Sequence, residues 1–93
     1  MRKIEYTTKF KRDFSREGKG HHRDALKNEF RAVLKSLVND LLLEEHYRDH
    51  ALVGDWKDHR DCHIKPDQIL IYRFVGNDAV QLVRLGSNSK LGL

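Results

Sequence analysis

The first half of the chain carries one short β pattern followed by two helical patterns. Ile4 and Tyr6 alternate with polar residues and predict a strand over residues 2–7. Phe10 and Phe14 are four residues apart, which indicates a short helix with one aromatic stripe. A stronger helical pattern follows, with apolar residues three or four positions apart through four turns: Leu26, Phe30, Val33, Leu34, Leu37, Val38 and Leu41. We expect two helices packed as a hairpin on one face of a sheet.

The second half of the chain is patterned for strands. After a loop over residues 46–55, the pattern predicts a strand over Trp56–Ile64 and a turn at Lys65-Pro66-Asp67. Two further strands are predicted over Ile69–Val75 and Val80–Leu85, joined by a hairpin turn at residues 76–78. The predicted fold is a single α+β domain over residues 1–93. Its order is β-α-α-β-β-β, with an antiparallel sheet and the two-helix hairpin on one face.

The net positive charge of the chain indicates a preference for anionic partners. Lysine and arginine number 18 against 14 aspartates and glutamates, so the net charge is +4 with neutral histidines. The excess is greatest near the N-terminus, at Lys9, Lys11, Arg12, Arg16, Lys19 and Arg23. Such a surplus suits nucleic acid or an acidic protein, although an ordinary solvated face gives the same pattern. The single cysteine, Cys62, allows no internal disulfide, which fits a reducing cytoplasm, and no apolar run is long enough to cross a membrane.

Four of the six histidines lie close together in the sequence, at His46, His50, His59 and His63, among several aspartates. Because histidine exchanges protons near neutral pH, this cluster on a basic domain indicates acid–base chemistry on a phosphodiester. On the predicted strand, Asp61 and His63 share the face opposite Cys62 and should point outward. Asp67 follows at the turn and is expected to share a concavity with His63. His50 joins them only if the preceding loop folds back over the sheet.

The same histidines raise the question of a metal site, since His46 and His50 are four residues apart, as are His59 and His63. Cys62 lies on the opposite face of the predicted strand, and the chain has no CxxC or HExxH arrangement. We therefore expect neither a metal nor another cofactor.

Three runs of residues carry a resemblance to a known family. They are Asp49–Trp56 (DHALVGDW), Arg60–Asp67 (RDCHIKPD) and Ile69–Tyr72 (ILIY). Together they resemble the YafQ branch of the RelE/ParE toxin superfamily, and the ending Arg84-Leu85-Gly86-Ser87 is also similar to the family's ending. The resemblance covers the whole chain in element order and is detailed from Asp49 to Leu91.

The resemblance implies a cytoplasmic, ribosome-associated endoribonuclease that cuts translated mRNA without a metal, by attack of the substrate's 2′-hydroxyl on the adjacent phosphate. It implies a cognate antitoxin of the DinJ/RelB kind, operator DNA bound only through the toxin–antitoxin complex, and no membrane. The family's catalytic positions fall on His50, His63 and Asp67, as general base, orienting groups and charge-stabilising groups. Residues expected to contact phosphate or RNA are Arg84, which would steady the phosphorane, with Asp61, Ser87, Lys9, Lys11 and Arg12.

Position 88 departs from the family pattern. The family has histidine after its R-x-G-[ST] element, as a candidate general acid for the leaving 5′-oxygen, whereas this chain has Asn88. An amide forms hydrogen bonds but cannot give up a proton near neutral pH. Loss of a general acid slows a reaction by roughly 10²–10⁴-fold, so the resemblance implies reduced activity.

A non-catalytic role is the alternative. The related ParE branch acts by binding DNA gyrase, and a chain disabled at Asn88 could serve only as a co-repressor with its antitoxin. A pure binder would not need His50, His63 and Asp67 together, and these residues favour the enzyme.

Overall fold

A computed structural model describes residues 1–93 as a five-stranded sheet with helices on both faces. In chain order the elements are β1 (Lys3–Tyr6), α1 (Thr8–Glu17), α2 (Glu29–Val38), β2 (His50–Ala51), β3 (Arg60–Lys65), β4 (Gln68–Val75), β5 (Ala79–Gly86) and α3 (Asn88–Leu91). Short 3₁₀ turns occupy Arg23–Leu26, Glu45–Tyr47 and Gly54–Trp56. None of the helices has the length and apolar character needed to span a bilayer.

The strand order is β1-β5-β4-β3-β2, and the α+β class is confirmed. One pair corrects the predicted antiparallel sheet, because β1 runs parallel to β5, with Lys3 opposite Ala79 and Tyr6 opposite Leu82. The other three pairs are antiparallel. Tight hairpins force β3, β4 and β5 to alternate in direction. No hairpin joins β1 to its neighbour, and the long helical connection leaves its direction free.

The two-helix hairpin packs on one sheet face, as predicted, and its first helix begins where the sequence indicates. The Thr7 side chain caps α1 by accepting a hydrogen bond from the backbone N–H of Phe10 at 2.9 Å. The second helix is shorter than predicted. Asn28 has a non-helical backbone conformation and separates a 3₁₀ turn from α2, which ends at Val38. Leu41 therefore lies outside the helix and remains exposed.

A second, smaller apolar cluster lies on the opposite face of the sheet, the face that carries His63. It consists of Ile69, Ile71 and Leu91, with Leu52, Trp56 and Val83 packed against it. Because side chains alternate along a strand, Cys62 and Ile64 of β3 enter the main core while His63 lies on this second face. The segment before β3 and helix α3 both fold onto the second face. The predicted strand from Trp56 consequently begins only at Arg60, after the turn at Gly54–Trp56.

Candidate active site

A cleft of about 500 Å³ opens on the second face, between β3, the segment before it and the C-terminal residues. Its polar side chains come from three separate parts of the chain and are His50, Asp55, Asp61, His63 and Asn88, with Trp56 as an apolar wall. We call the cavity lined by these residues the histidine cleft. Trp56 is half-buried against the smaller apolar cluster and stands edge-on to His59.

His50 reaches the cleft because the loop before it does fold back. His50–Ala51 forms β2, which pairs with β3 and places His50 directly opposite Asp61. The His50 Nδ1 lies 2.9 Å from the carbonyl oxygen of Arg48. Since a carbonyl oxygen only accepts hydrogen bonds, this contact assigns the proton to Nδ1. In the neutral ring, Nε2 then carries the lone pair and is free to accept a proton.

Asp49, which the sequence analysis did not single out, anchors the strand that carries His50. Its carboxylate accepts hydrogen bonds from the Tyr72 hydroxyl and from the Arg60 guanidinium, the latter at 3.1 Å. Burial, together with the Asp49 carboxylate, raises the pKa of the Tyr72 hydroxyl, so tyrosine stays a donor. Through these two contacts Asp49 fixes the backbone immediately before His50.

Asp61 is buried, at 3% relative exposure, rather than pointing outward as predicted. The strand β2 pairs with this part of β3 and brings the His50 imidazole against the Asp61 carboxylate. The His50 Nδ1 lies 3.0 Å from the Asp61 Oδ1, but the two are not aligned for a hydrogen bond, and Oδ1 has no other partner. Burial raises the pKa of the Asp61 carboxyl, while the charges of His50 and His63 oppose that rise. When ionised, Asp61 stabilises positive charge on the neighbouring imidazoles.

The His63 ring is oriented in the same way as that of His50. Its Nδ1 lies 3.3 Å from the carbonyl oxygen of Pro66, in the turn that follows β3. The proton on Nδ1 again leaves Nε2 unengaged in the neutral ring. Two half-exposed imidazoles thus line one cleft, each held by a backbone carbonyl and each with a free nitrogen.

Asn88 is the first residue of α3 and lines the histidine cleft, where its amide is exposed. Ser87 caps this short helix, since its hydroxyl accepts from the backbone N–H of Lys90 at 3.4 Å. The structure therefore uses Ser87 to fix the start of α3 and so the direction of residue 88.

Asp67 does not share the cleft with His63 and lies in a neighbouring hollow of about 260 Å³. Its carboxylate contacts the imidazole of His22 and that of His21, the latter at 3.2 Å. The hydrogen bond from His22 lowers the pKa of Asp67, and that from His21 adds to the effect. No spacing signal could predict this, because the two histidines precede Asp67 by 46 and 45 residues.

The Arg84 guanidinium makes two hydrogen bonds to the buried carboxylate of Asp13 on α1, at 2.6 and 3.2 Å. Arg16 and the backbone N–H of Leu85 bind the same carboxylate. Burial alone would raise the pKa of Asp13, but these hydrogen bonds and the charge of Arg84 outweigh it and lower the pKa. Arg84 thus joins α1 to β5 and keeps only its Nη1 without a partner.

The predicted basic residues Lys9, Lys11 and Arg12 are exposed on α1, with no acidic side chain within ion-pair distance. The histidine pairs considered for a metal assemble no ligand set with Cys62, whose thiol is buried with a raised pKa. The one group of three close ligand atoms is instead formed by His21, His22 and Asp67.

Comparison with known proteins agrees with this architecture. The family model for the bacterial toxin YafQ of type II toxin–antitoxin systems matches residues 2–92. The mRNA interferase toxin YafQ of Escherichia coli K12 is 35% identical over 92 residues, covering 98% of this chain and 96% of that protein.

Two solved structures are also similar over nearly the full length. The Escherichia coli DinJ–YafQ complex contains a chain that is 34% identical, with a TM-score of 0.84 and 98% of both chains covered. A copper-bound mutant toxin from Helicobacter pylori is 37% identical, with a TM-score of 0.88, covering 98% of this chain and 99% of that one.

Proposed function

Because this chain belongs to the YafQ family of type II toxin–antitoxin toxins, we propose that it is an mRNA interferase that cleaves translated messages on the ribosome. The observation that carries the proposal is the pair of oriented imidazoles in the histidine cleft. Each Nδ1 is held by a carbonyl oxygen, and each Nε2 is free to exchange a proton with RNA.

In the proposed reaction a free imidazole Nε2 removes the proton from the substrate's 2′-hydroxyl. The 2′-oxygen attacks the adjacent phosphorus, and the bond from phosphorus to the 5′-oxygen breaks. A 2′,3′-cyclic phosphate forms, and the 5′-oxygen takes a proton to leave as a hydroxyl. His50 is the better placed base, because the Asp61 carboxylate beside its Nδ1 stabilises the imidazolium that results. The acid–base steps use imidazoles, so cleavage should persist in a chelator.

Proton delivery to the leaving oxygen is the weak step in this chain. Asn88 sits on the cleft wall where the family has a histidine, and its amide can orient the 5′-oxygen without protonating it. His63 or water must then supply the proton. We propose that activity is reduced for this reason.

Asp67 contributes as a positioning residue in this scheme. It follows Pro66, whose carbonyl oxygen orients the His63 ring, and the two histidines that contact Asp67 hold that turn against the loop after α1. Arg84 can offer phosphate only its Nη1, so we assign it mainly to anchoring α1. Lys9, Lys11 and Arg12 are free to bind the RNA backbone.

We also propose that the chain is neutralised by a cognate antitoxin of the DinJ/RelB kind, and that it meets operator DNA only within that complex. The DinJ–YafQ assembly of Escherichia coli supports this partnership. A cytoplasmic location follows from the proposed ribosomal substrate.

The test is primer extension on a translated message after induction of the chain, comparing it with His63→Ala. The matched control is His59→Ala, since His59 is nearby but does not line the cleft. Cuts that disappear in His63→Ala and persist in His59→Ala support the enzyme. Cuts that survive His63→Ala would refute the proposed site, and growth arrest without any cuts would favour a non-catalytic binder.

A further inference from the structure

The hollow beside the histidine cleft contains a second cluster of titratable groups that the proposed cleavage does not use for proton transfer. His21, His22 and Asp67 each present one ligand atom, and the three atoms all lie within 4.8 Å of one another. Both histidines direct Nε2 toward the carboxylate. We propose that these three residues form a binding site for a divalent transition-metal ion.

The donor set defines the class of ion. Two imidazole nitrogens and one carboxylate oxygen suit Zn²⁺ and its neighbours in the first transition row, whereas Mg²⁺ and Ca²⁺ prefer all-oxygen sites. Three protein ligands leave a fourth tetrahedral position for water. The ligands differ in exposure: 78% of the His21 side chain is accessible against 23% of His22, so the ion would enter from the His21 side.

The charges around the hollow permit a cation. Arg16 and Lys90 also line it, but the Arg16 guanidinium is already paired with Asp13 at 3.0 Å and Glu17 at 3.4 Å. The Asp67 carboxylate supplies the anionic ligand, and both imidazoles contact it. Lys90 is the one cation lining the hollow without an ion pair, and its charge will weaken binding without occupying the ligand positions.

The bound ion would join two segments that are far apart in the sequence. His21 and His22 belong to the loop after α1, while Asp67 belongs to the turn between β3 and β4. An ion shared by them stabilises the folded chain, because the unfolded chain cannot hold the three ligands together. The metal inference rests on the geometry of these three residues and does not depend on the proposed RNase activity.

The experiment titrates ZnCl₂ into the untagged full chain by isothermal calorimetry and follows the melting temperature with and without EDTA. We expect one Zn²⁺ per chain and, at a hundredfold excess over Kd, a rise of about 10 °C that EDTA reverses. Mg²⁺ should produce no shift.

His21→Ala is the decisive variant, because its exposed side chain can be removed without loss of the fold, as circular dichroism would verify. It should lose the zinc-induced rise, while His46→Ala, at an exposed histidine elsewhere, should keep it. Unchanged zinc affinity in His21→Ala would overturn the proposal. Loss of binding in His63→Ala alone would also overturn it, since the ion would then belong to the histidine cleft.

Discussion

His50 and Asp61 face each other across β2 and β3, with the imidazole Nδ1 3.0 Å from the carboxylate Oδ1. The contact places a buried acid, whose pKa is raised by desolvation, directly beneath a half-exposed histidine. A buried carboxylate in that position lowers the stability of the fold. It makes a favourable electrostatic interaction only when a positive charge develops on the imidazole ring. Asp61 therefore reduces the stability of the fold and, in return, stabilises the protonated form of His50.

The first prediction concerns Asp61→Asn. The folded-state pKa of Asp61 lies above its unfolded value, so its ionisation destabilises the fold as the pH rises past the ordinary carboxyl range. Removing the charge should raise the unfolding free energy at pH 7 by about 1 kcal/mol, or roughly 5 °C in melting temperature. Cleavage should fall about tenfold, because His50 loses its anionic partner.

Thermal melts and single-turnover cleavage measure the two effects. Asp78→Asn is the matched control, because this aspartate is exposed in the turn between β4 and β5 and does not line the cleft. It should change neither quantity. A less stable Asp61→Asn chain with full activity would contradict the assigned role of the carboxylate.

The second prediction restores the proton donor. Asn88→His places an imidazole on the cleft wall opposite His50 and His63, and it should raise the cleavage rate by roughly 10²–10⁴-fold. The measurement is the rate of cutting of a ribosome-bound message. Ser89→His puts the same side chain on the next residue, which is exposed and does not line the cleft, and it should leave the rate unchanged. Equal rates in both variants would show that residue 88 does not limit the reaction.

Local patterns predicted the parts of the site that lie on one strand. The alternation of β3 separates His63 from Cys62 and Ile64, and the structure places them on opposite faces as expected. Asp61 follows the same alternation, but its burial depends on β2, and a two-residue strand leaves almost no periodic signal.

Contacts between segments that are distant in the chain could not be predicted from the sequence. The pairing of β1 with β5 and the contact of His22 with Asp67 both join residues more than forty positions apart. No sequence motif marks either contact, because each depends on how the helices pack against the sheet. The same holds for the contact of Arg84 with Asp13, since the family resemblance implied only a phosphate contact for Arg84.

The third prediction follows from that buried ion pair. Asp13→Asn leaves Arg84 and Arg16 without their shared carboxylate, and at pH 7 it should cost about 3 kcal/mol of unfolding free energy. The folded-state pKa of Asp13 lies below its ordinary value of 3.8, so its contribution is present above that value and lost as the pH falls further. The stability difference between the two chains should therefore shrink on acidification.

Denaturant unfolding at pH 7 and below pH 4 measures this difference. Asp24→Asn is the control, since Asp24 is exposed and its carboxylate has no partner, and it should alter stability by less than about 0.5 kcal/mol. A deficit in Asp13→Asn that stays constant with pH would contradict the lowered pKa.

The last prediction concerns the exposed basic face of α1. Replacing Lys9, Lys11 and Arg12 with glutamine should weaken binding to single-stranded RNA and lower the slope of log K against log salt by about 2, because each phosphate contact releases about 0.7 counterion. The matched control removes the same charge from three exposed positions elsewhere, at Lys27 just before α2 and at Arg31 and Lys35 on α2. Both triple variants keep the apolar residues of their helices and should melt like the parent. If they lose RNA affinity equally, the chain binds RNA through net charge alone, and the α1 face has no special part in it.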